Sequence, residues 1–431
     1  MIIHDAFMSL KNDMIHSFFY WLTFVISSMF IFLFLVVSMS DAVGVTFVQA
    51  KGDVATNLAV FSSVLCMVEI VFANDFYVKS KSRELAVRLV CGATYVQLAQ
   101  YLLSQTVFLV AIAIPVGILA GIICIPLIGG LMSNITGTAM SINITGEALI
   151  WTICILAFVV FWTLILNLSF AYRNSAAQLL NSQTIKTGSS NPFLTAFLED
   201  LNKGKQGTIS RLICLGMFLI PIGLFYYSPS ASVIFAAVSL VGLNNVIKNM
   251  AMPYLNSHIE KHITDPEKTG YLGFVRHDLK ILKTNLLLLI VTSVLLITIL
   301  VGTTSATDAV LVLITYVAMS TLLSMAILFR YSSDLSFRKK YYRTLSHIGF
   351  MQDNEKRMIT KEVFTFYGIV IALILFYVIN LSASLIIGGS LSVTSMLILL
   401  ISAVIPEQIC MVINRSFYMD VIFKSKNKGG L

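Results

Sequence analysis

Ten stretches of this chain are apolar over about the length that a helix needs to cross a bilayer. They lie near 17–39, 57–77, 101–128, 149–171, 210–227, 230–247, 285–302, 309–329, 363–385 and 392–413. A hydrocarbon core about 30 Å thick takes roughly 20 helical residues, and inside it the backbone must satisfy its own hydrogen bonds. The chain is 57% hydrophobic and 12% charged, more apolar surface than a soluble domain can bury. The fold class that follows is an all-α polytopic membrane protein with ten transmembrane helices. The fifth and sixth runs, around Pro221 and Pro229, are short and closely spaced. The third is long enough to tilt, or to bend at Pro115.

Lys and Arg placement sets the orientation. With ten spans, the outer loops are about 40–56, 129–148, 228–229, 303–308 and 386–391, and of the 29 Lys and Arg only Lys51 lies in them. Both termini are therefore expected to be cytoplasmic, and the net charge of +8 fits basic loops facing anionic membrane lipids. Nucleic-acid binding needs a soluble basic face with aromatics, which the sequence lacks. The first run is too long for a signal-peptide core and has no small-residue cleavage site, so it is expected to stay as the first span. Residues 1–15 are amphipathic and predict a short helix along the inner surface.

Two four-span blocks flank a two-span insert. The expected domains are a first block over 1–173, a cytoplasmic linker over 174–209, the insert over 210–247, a cytoplasmic link with a surface helix over 248–283, a second block over 284–414, and a basic tail over 415–431. The end of the second link, LGFVRHDLKILKTN, resembles the N-terminal AFMSLKNDMIHSF. Each block crosses four times, so both enter from the same side and the repeats are parallel, unlike inverted repeats.

Between the second and third spans lies KSKSRELAVRLVCG, and between the eighth and ninth lies RKKYYRTLSHIG. Lys81, Arg83, Gly92 and Gln105 align with Arg338, Lys340, Gly349 and Glu362 at one constant offset. On a helix Leu85, Leu89 and, beside them, Ala86 and Val90 make one apolar stripe, with Lys79, Lys81, Arg83 and Arg88 towards other faces. In the second copy the basic cluster is Arg338, Lys339, Lys340 and Arg343, and the apolar face is Tyr341, Leu345 and Ile348. Gly92 permits a sharp turn into the next span. An apolar stripe framed by basic groups suits docking on a soluble partner; a loop that only sets topology would not need the Gly and the downstream alignment to recur.

The stretch RELAVRLVCGATYVQLAQYLLSQTVFLVAIAIPVGILAGI resembles the FtsX-like permease signature through Arg83, Glu84, Leu85, Arg88, Gly92, Ala93, Gln105 and Gly117. The likeness extends over about 57–172, and more weakly over 309–414, where Phe350 replaces Ala93. Two such blocks around an extra span pair is similar to the layout of bacitracin-resistance-type (BceB-like) ABC transporter permeases. The resemblance implies a permease that recruits two copies of a cytoplasmic ABC ATPase, with ATP and Mg bound by that partner. It implies ATP-powered export or membrane extraction of a peptide or a hydrophobic, lipid-linked substrate, in the antimicrobial-peptide or bacteriocin class, in a bacterial cell membrane. Those permeases carry a large extracellular domain between the seventh and eighth spans; here only GTTSATD joins them. The ATPase-coupling residues it points to are Arg83, Glu84, Leu85, Arg88, Gly92, Arg338, Lys340, Arg343 and Gly349.

No catalytic site, cofactor or metal site is expected in this chain. GKQGT at 204–208 has its Lys in the wrong place for a phosphate loop and follows no strand. His258 and His262 share a helix face without a visible third ligand. None of the six Cys has metal-ligand spacing. Glu69 and Glu407 lie inside the second and tenth spans, where a charge costs about 2.5–3.5 kcal/mol on insertion scales. Each is either a polar lining or gate, or one helix-to-helix hydrogen bond. Other readings stay open: an ion-coupled secondary transporter using these carboxylates, a signal-transmitting permease partnered with a sensor kinase, or one member of a complex with an accessory membrane protein.

Overall fold

The computed structural model describes residues 14–40, 54–136, 142–175, 208–228, 231–262, 264–303, 306–333 and 335–428. The chain divides into two compact units, Met1–Asn202 with Ser305–Leu311, and Lys203–Thr304 with Val312–Leu431. The described residues form helices and no strand. Nine helices are long and apolar enough to cross a membrane, and a shorter apolar one covers Arg211–Leu224. This is a multi-pass all-α membrane protein. Each of the ten expected spans falls on an apolar helix; the fifth is the short one.

The first unit holds α1 (Met14–Ser38), α2 (Val54–Val90), α3 (Tyr95–Thr136) and α4 (Gly146–Arg173). α1 is its centre and is mostly buried, whereas most of α4 is exposed. Tyr20, Phe24 and Val25 of α1 pack with Ile70, Leu85, Leu102 and Val159 from the other three helices. α3 approaches α1 closely because Gly117 and Gly121 face it. A methyl on Gly117 would collide with Ser28 and the Val25 carbonyl, and one on Gly121 would meet the Phe32 ring at 2.6 Å. Small residues four apart serve this purpose wherever no hydrophobic force draws helices together. Pro115 and Pro126 lie inside α3 without ending it, as neighbouring helices allow in a membrane. Thr145 caps α4 by accepting from the Ala148 N–H at 3.4 Å.

The second unit holds α5 (Thr208–Leu224), α6 (Ser232–Val246), a π-helical turn (Ile247–Ala251) and α7 (Met252–Lys261). It continues with α8 (Pro266–Gly302), α9 (Ala306–Ser333), which it shares from Val312 onward, α10 (Leu335–His347), α11 (Gln352–Ile387) and α12 (Val393–Lys428). α8 packs on α11, α11 on α12, and α6 on α5 and α8. The two-helix insert is thus fastened inside this unit. Ser232 and Thr298 hydroxyls lie 2.7 Å apart, Ser239 donates to the Phe218 carbonyl at 2.8 Å, and Ser384 donates to the Phe225 carbonyl at 2.5 Å.

Two local expectations meet a different geometry. The segment 272–285 is no separate surface helix: it continues into the seventh span as α8, started by Pro266 and by Asp265, which accepts from the Lys268 N–H at 3.3 Å. Its Phe274 and Asp278 point into the core. The basic residues from 415 onward continue the last span, since α12 runs to Lys428. The expected surface helix at 1–15, apart from its last two residues, and the linker core 176–207 lie outside the described residues.

Candidate functional site

The two aligned basic segments end in the same backbone structure. Gly92 follows α2 at φ +94° and Gly349 follows α10 at φ +95°. In the first, the Gly92 N–H donates to Leu89 O and the Ala93 N–H to Arg88 O, both at 3.1 Å. In the second, Gly349 donates to Ser346 O and Phe350 to Leu345 O, both at 3.1 Å. This is the Schellman closure, which needs a left-handed residue that only Gly adopts cheaply. The two copies match bond for bond at the offset that aligns Lys81 with Arg338, so the sequence repeat is also a structural one. They differ in entry: the first segment is the last part of the 37-residue helix α2, whereas the second is the separate helix α10.

The apolar stripe of the first copy turns inward. Leu85 and Ala86 are fully buried against Leu98, Ala99 and Leu102 at the start of α3. What faces outward is Arg83 with Val87, Val90, Tyr95 and Val96. In the second copy Lys339, Lys340, Arg343, Ile348 and Met351 are exposed, Tyr341 is on the margin of exposure, and Leu345 is half-buried. The basic and apolar outward groups are therefore Arg83, Lys340 and Arg343 with Val87, Val90 and Ile348.

Arg338, expected on the docking face, is instead completely buried. Its guanidinium pairs with Asp278 of α8 and Glu362 of α11 and lies over the rings of Phe274, Tyr331 and Tyr418 at 5.1, 4.3 and 5.4 Å. Tyr331 donates to Glu362 at 2.6 Å and Tyr418 donates to its other oxygen at 3.3 Å. A buried guanidinium is tolerable only when paired and hydrogen-bonded in this way. It fastens α10 to α8, α9, α11 and α12. Beside it, burial pushes the Tyr342 phenol up, more than the Tyr418 hydrogen bond and the Arg338 charge pull it down.

The first copy makes the corresponding fastening with weaker groups. Lys81 is buried and reaches Glu84 at 3.4 Å; Arg88 meets the same carboxylate at 3.4 Å and lies 4.0 Å over the Tyr101 ring. Tyr101 donates to Glu84, Gln105 donates to Tyr101 at 2.9 Å, and Tyr77 donates to Gln105 at 3.0 Å. Tyr77 stacks on Tyr20, its ring centroid 4.5 Å away, and Tyr20 donates to Asn74 at 2.8 Å. Asn74 donates to Asn167 at 2.7 Å and Asn167 to Thr106 at 2.8 Å. A ladder of polar contacts thus climbs from the end of α2 into the helix bundle. Lys81, Glu84, Leu85 and Arg88 belong to the ladder or the core beneath the outward face. Asp278, Tyr331, Tyr418 and Tyr101 carry the fastening too, and nothing local in the sequence marks them.

The two intramembrane carboxylates, Glu69 in α2 and Glu407 in α12, are both buried. Glu407 has the Ser324 hydroxyl 2.8 Å from one oxygen; Glu69 lies beside Cys66. The His258 and His262 rings lie 4.5 Å apart, and among the described residues no group of three or more His, Cys, Asp or Glu is placed to hold a metal.

Residues 57–178 match the family model described as FtsX-like permease C-terminal. The matched stretch carries α2, α3 and α4, with the first Schellman closure and the polar ladder in it. The match supports the FtsX-like permease family, and with it the permease component of an ABC-type transporter, generally a non-enzymatic membrane subunit that partners with an ATPase subunit. No curated protein matches the chain.

Proposed function

We propose that this chain is the membrane subunit of a transporter in which a separate cytoplasmic ATPase, holding ATP and Mg, drives export or membrane extraction of a peptide or a hydrophobic, lipid-linked substrate. The observation that carries this reading is the pair of identical Gly closures, each ending a basic helix fastened to its own bundle by buried polar groups. A helix that receives force from a partner must be stiff, registered and tied to the spans it moves. Two such helices suit two copies of one ATPase. In this reading both termini and both closures lie on the cytoplasmic side of a bacterial cell membrane, and the blocks are parallel repeats as in the BceB-like layout.

The coupling roles divide in two. Arg83, Lys340 and Arg343 with Val87, Val90 and Ile348 make the docking face. Glu84, Leu85, Arg88 and Arg338 are positioning residues that hold it, and Gly92 and Gly349 turn the chain into the following span. The test is co-purification of the ATPase with the full-length protein. Arg83→Glu with Arg343→Glu is expected to abolish recovery of the ATPase while the permease elutes as a folded species. Undiminished recovery of ATPase with this variant would refute the docking face.

A further inference from the structure

Three lysines of the second unit lie where two helices pass from polar to apolar surface. α6 is apolar up to Leu243, Asn244 and Asn245 follow, and Lys248 lies inside the π-helical turn. α8 becomes apolar after Asn285, and Lys280 and Lys283 lie one turn apart just before it. The Lys283 ammonium donates to Asn244 of α6 at 3.3 Å, which ties the two helices together at this level. Lys248 stands one turn beyond Asn244, and both Lys248 and Lys280 are within electrostatic reach of Lys283. Lys283 is half-buried, Lys248 and Lys280 exposed. Arg211 lies in the first turn of the neighbouring α5 at the same end, where Asn249 and Cys214 are 3.8 Å apart.

The carboxylates of α8 itself are engaged elsewhere: Asp278 with Arg338, and Glu267 with Lys361. Among the described residues none pairs with the three lysines. Gathering like charges at a half-buried site is unfavourable unless an anion joins them. The distortion of the helix at the same place adds to the signal, since π-turns cost stability and recur at functional sites. A basic loop that only fixed topology would need neither the half-buried Lys283 nor the link to Asn244.

We propose that Lys248, Lys280 and Lys283 bind one phosphate group at the membrane boundary. Ammonium groups act on phosphate as point charges, and basic pockets between spanning helices hold anionic headgroups. The depth of the site, level with the ends of two apolar helix surfaces, favours the phosphate of an anionic phospholipid over a soluble one. The inference needs only that the helices span a membrane, and is independent of the ATPase reading.

The test uses the full-length protein in phosphatidylcholine nanodiscs, with phosphatidylglycerol or inorganic phosphate as the probe, together with native mass spectrometry of the detergent-solubilised protein. Wild type is expected to retain phosphatidylglycerol and to gain thermal stability from it, reversibly with salt. Lys248→Gln with Lys283→Gln should weaken retention roughly tenfold or more. The Lys248→Arg, Lys283→Arg pair should preserve it, and Lys268→Gln, at an exposed lysine elsewhere, should leave it unchanged. If the double Gln variant fails to fold, Lys248→Gln alone, at an exposed position, makes the same comparison. A lysine-dependent response to inorganic phosphate without phosphatidylglycerol would support the phosphate site and assign it a soluble ligand. No response of wild type to either probe, or equal responses from wild type and the Gln variants, would overturn the proposal.

Discussion

Arg338 and Glu362 form an ion pair in which both side chains are buried, at the positions where the first copy has Lys81 and Gln105. The same two points in the repeat are thus held by a charged pair in one block and by a lysine and a neutral amide, bridged through Glu84 and Tyr101, in the other. Removing Arg338 leaves Asp278 and Glu362 buried without their counter-charge. Losses of about 3–5 kcal/mol are usual when one partner of a buried pair is deleted. Arg338→Ala is therefore expected to lower stability by about that amount, read by denaturant titration of the protein in nanodiscs. Arg338→Lys with Glu362→Gln copies the first block and keeps Asp278 paired, so it should recover much of the loss. Equal destabilisation by both variants would mean that the guanidinium geometry, not charge balance, is what matters.

Gly92 and Gly349 offer a purely conformational test. A methyl at either would touch nothing within 4 Å, so only the positive φ opposes it. A non-Gly residue in the left-handed region costs about 1–2 kcal/mol. Gly92→Ala and Gly349→Ala should each cost about that much, and Asn should cost less than Ala because it visits this region more readily. The measurement is the shift in thermal midpoint of each variant. Under the proposed function the Ala variants also lose ATPase-driven transport more than they lose stability, since the turn sets the angle between docking helix and span.

The positions of these helices were legible in the sequence; what their faces touch was not. Apolar run length marks the spans because lipid imposes it, and the Gly at a constant offset marks the closures because no other residue fits there cheaply. The stripe through Leu85 and Ala86 is the same whether it meets a soluble groove or the start of α3, so periodicity alone could not choose. Arg338 finds Asp278 60 residues before it and Tyr418 80 residues after it; neither partner has a local pattern that betrays it. The segment 272–285 reads as a surface helix from its likeness to the amphipathic N-terminal stretch, yet Phe274 and Asp278 within it fill the core.

Glu407 separates a structural from a transport role. Among the described residues its hydrogen-bond partner is the Ser324 hydroxyl, which can donate as well to an amide oxygen as to a carboxylate. Glu407→Gln is therefore expected to change stability by less than about 1 kcal/mol. If the carboxyl is one helix-to-helix hydrogen bond, transport survives the change as well, and this is the outcome expected from the buried Ser324 contact. Intact stability with abolished transport would instead make Glu407 a polar lining or a gate.

The approach of α3 to α1 is set by two residues that have no side chain to give way. The Gly117 position faces backbone as well as side chain, because the Val25 carbonyl and Ser28 are both in the path of a methyl; Gly121 faces mainly the Phe32 ring. A ring can shift where a carbonyl on a helix cannot. Gly121→Ala should thus cost roughly 1–3 kcal/mol, within the range for overpacking a core, and Gly117→Ala should cost more. The paired variant should separate the helices and expose the α1 face that Phe24, Phe32 and Val36 now bury. Cysteine accessibility at Ser28 is the direct readout: Ser28→Cys should be protected from a maleimide in the wild-type background and modified in the Gly117→Ala background. Equal protection in both would show that α1 is held by α2 and α4, and that the two glycines are incidental to it.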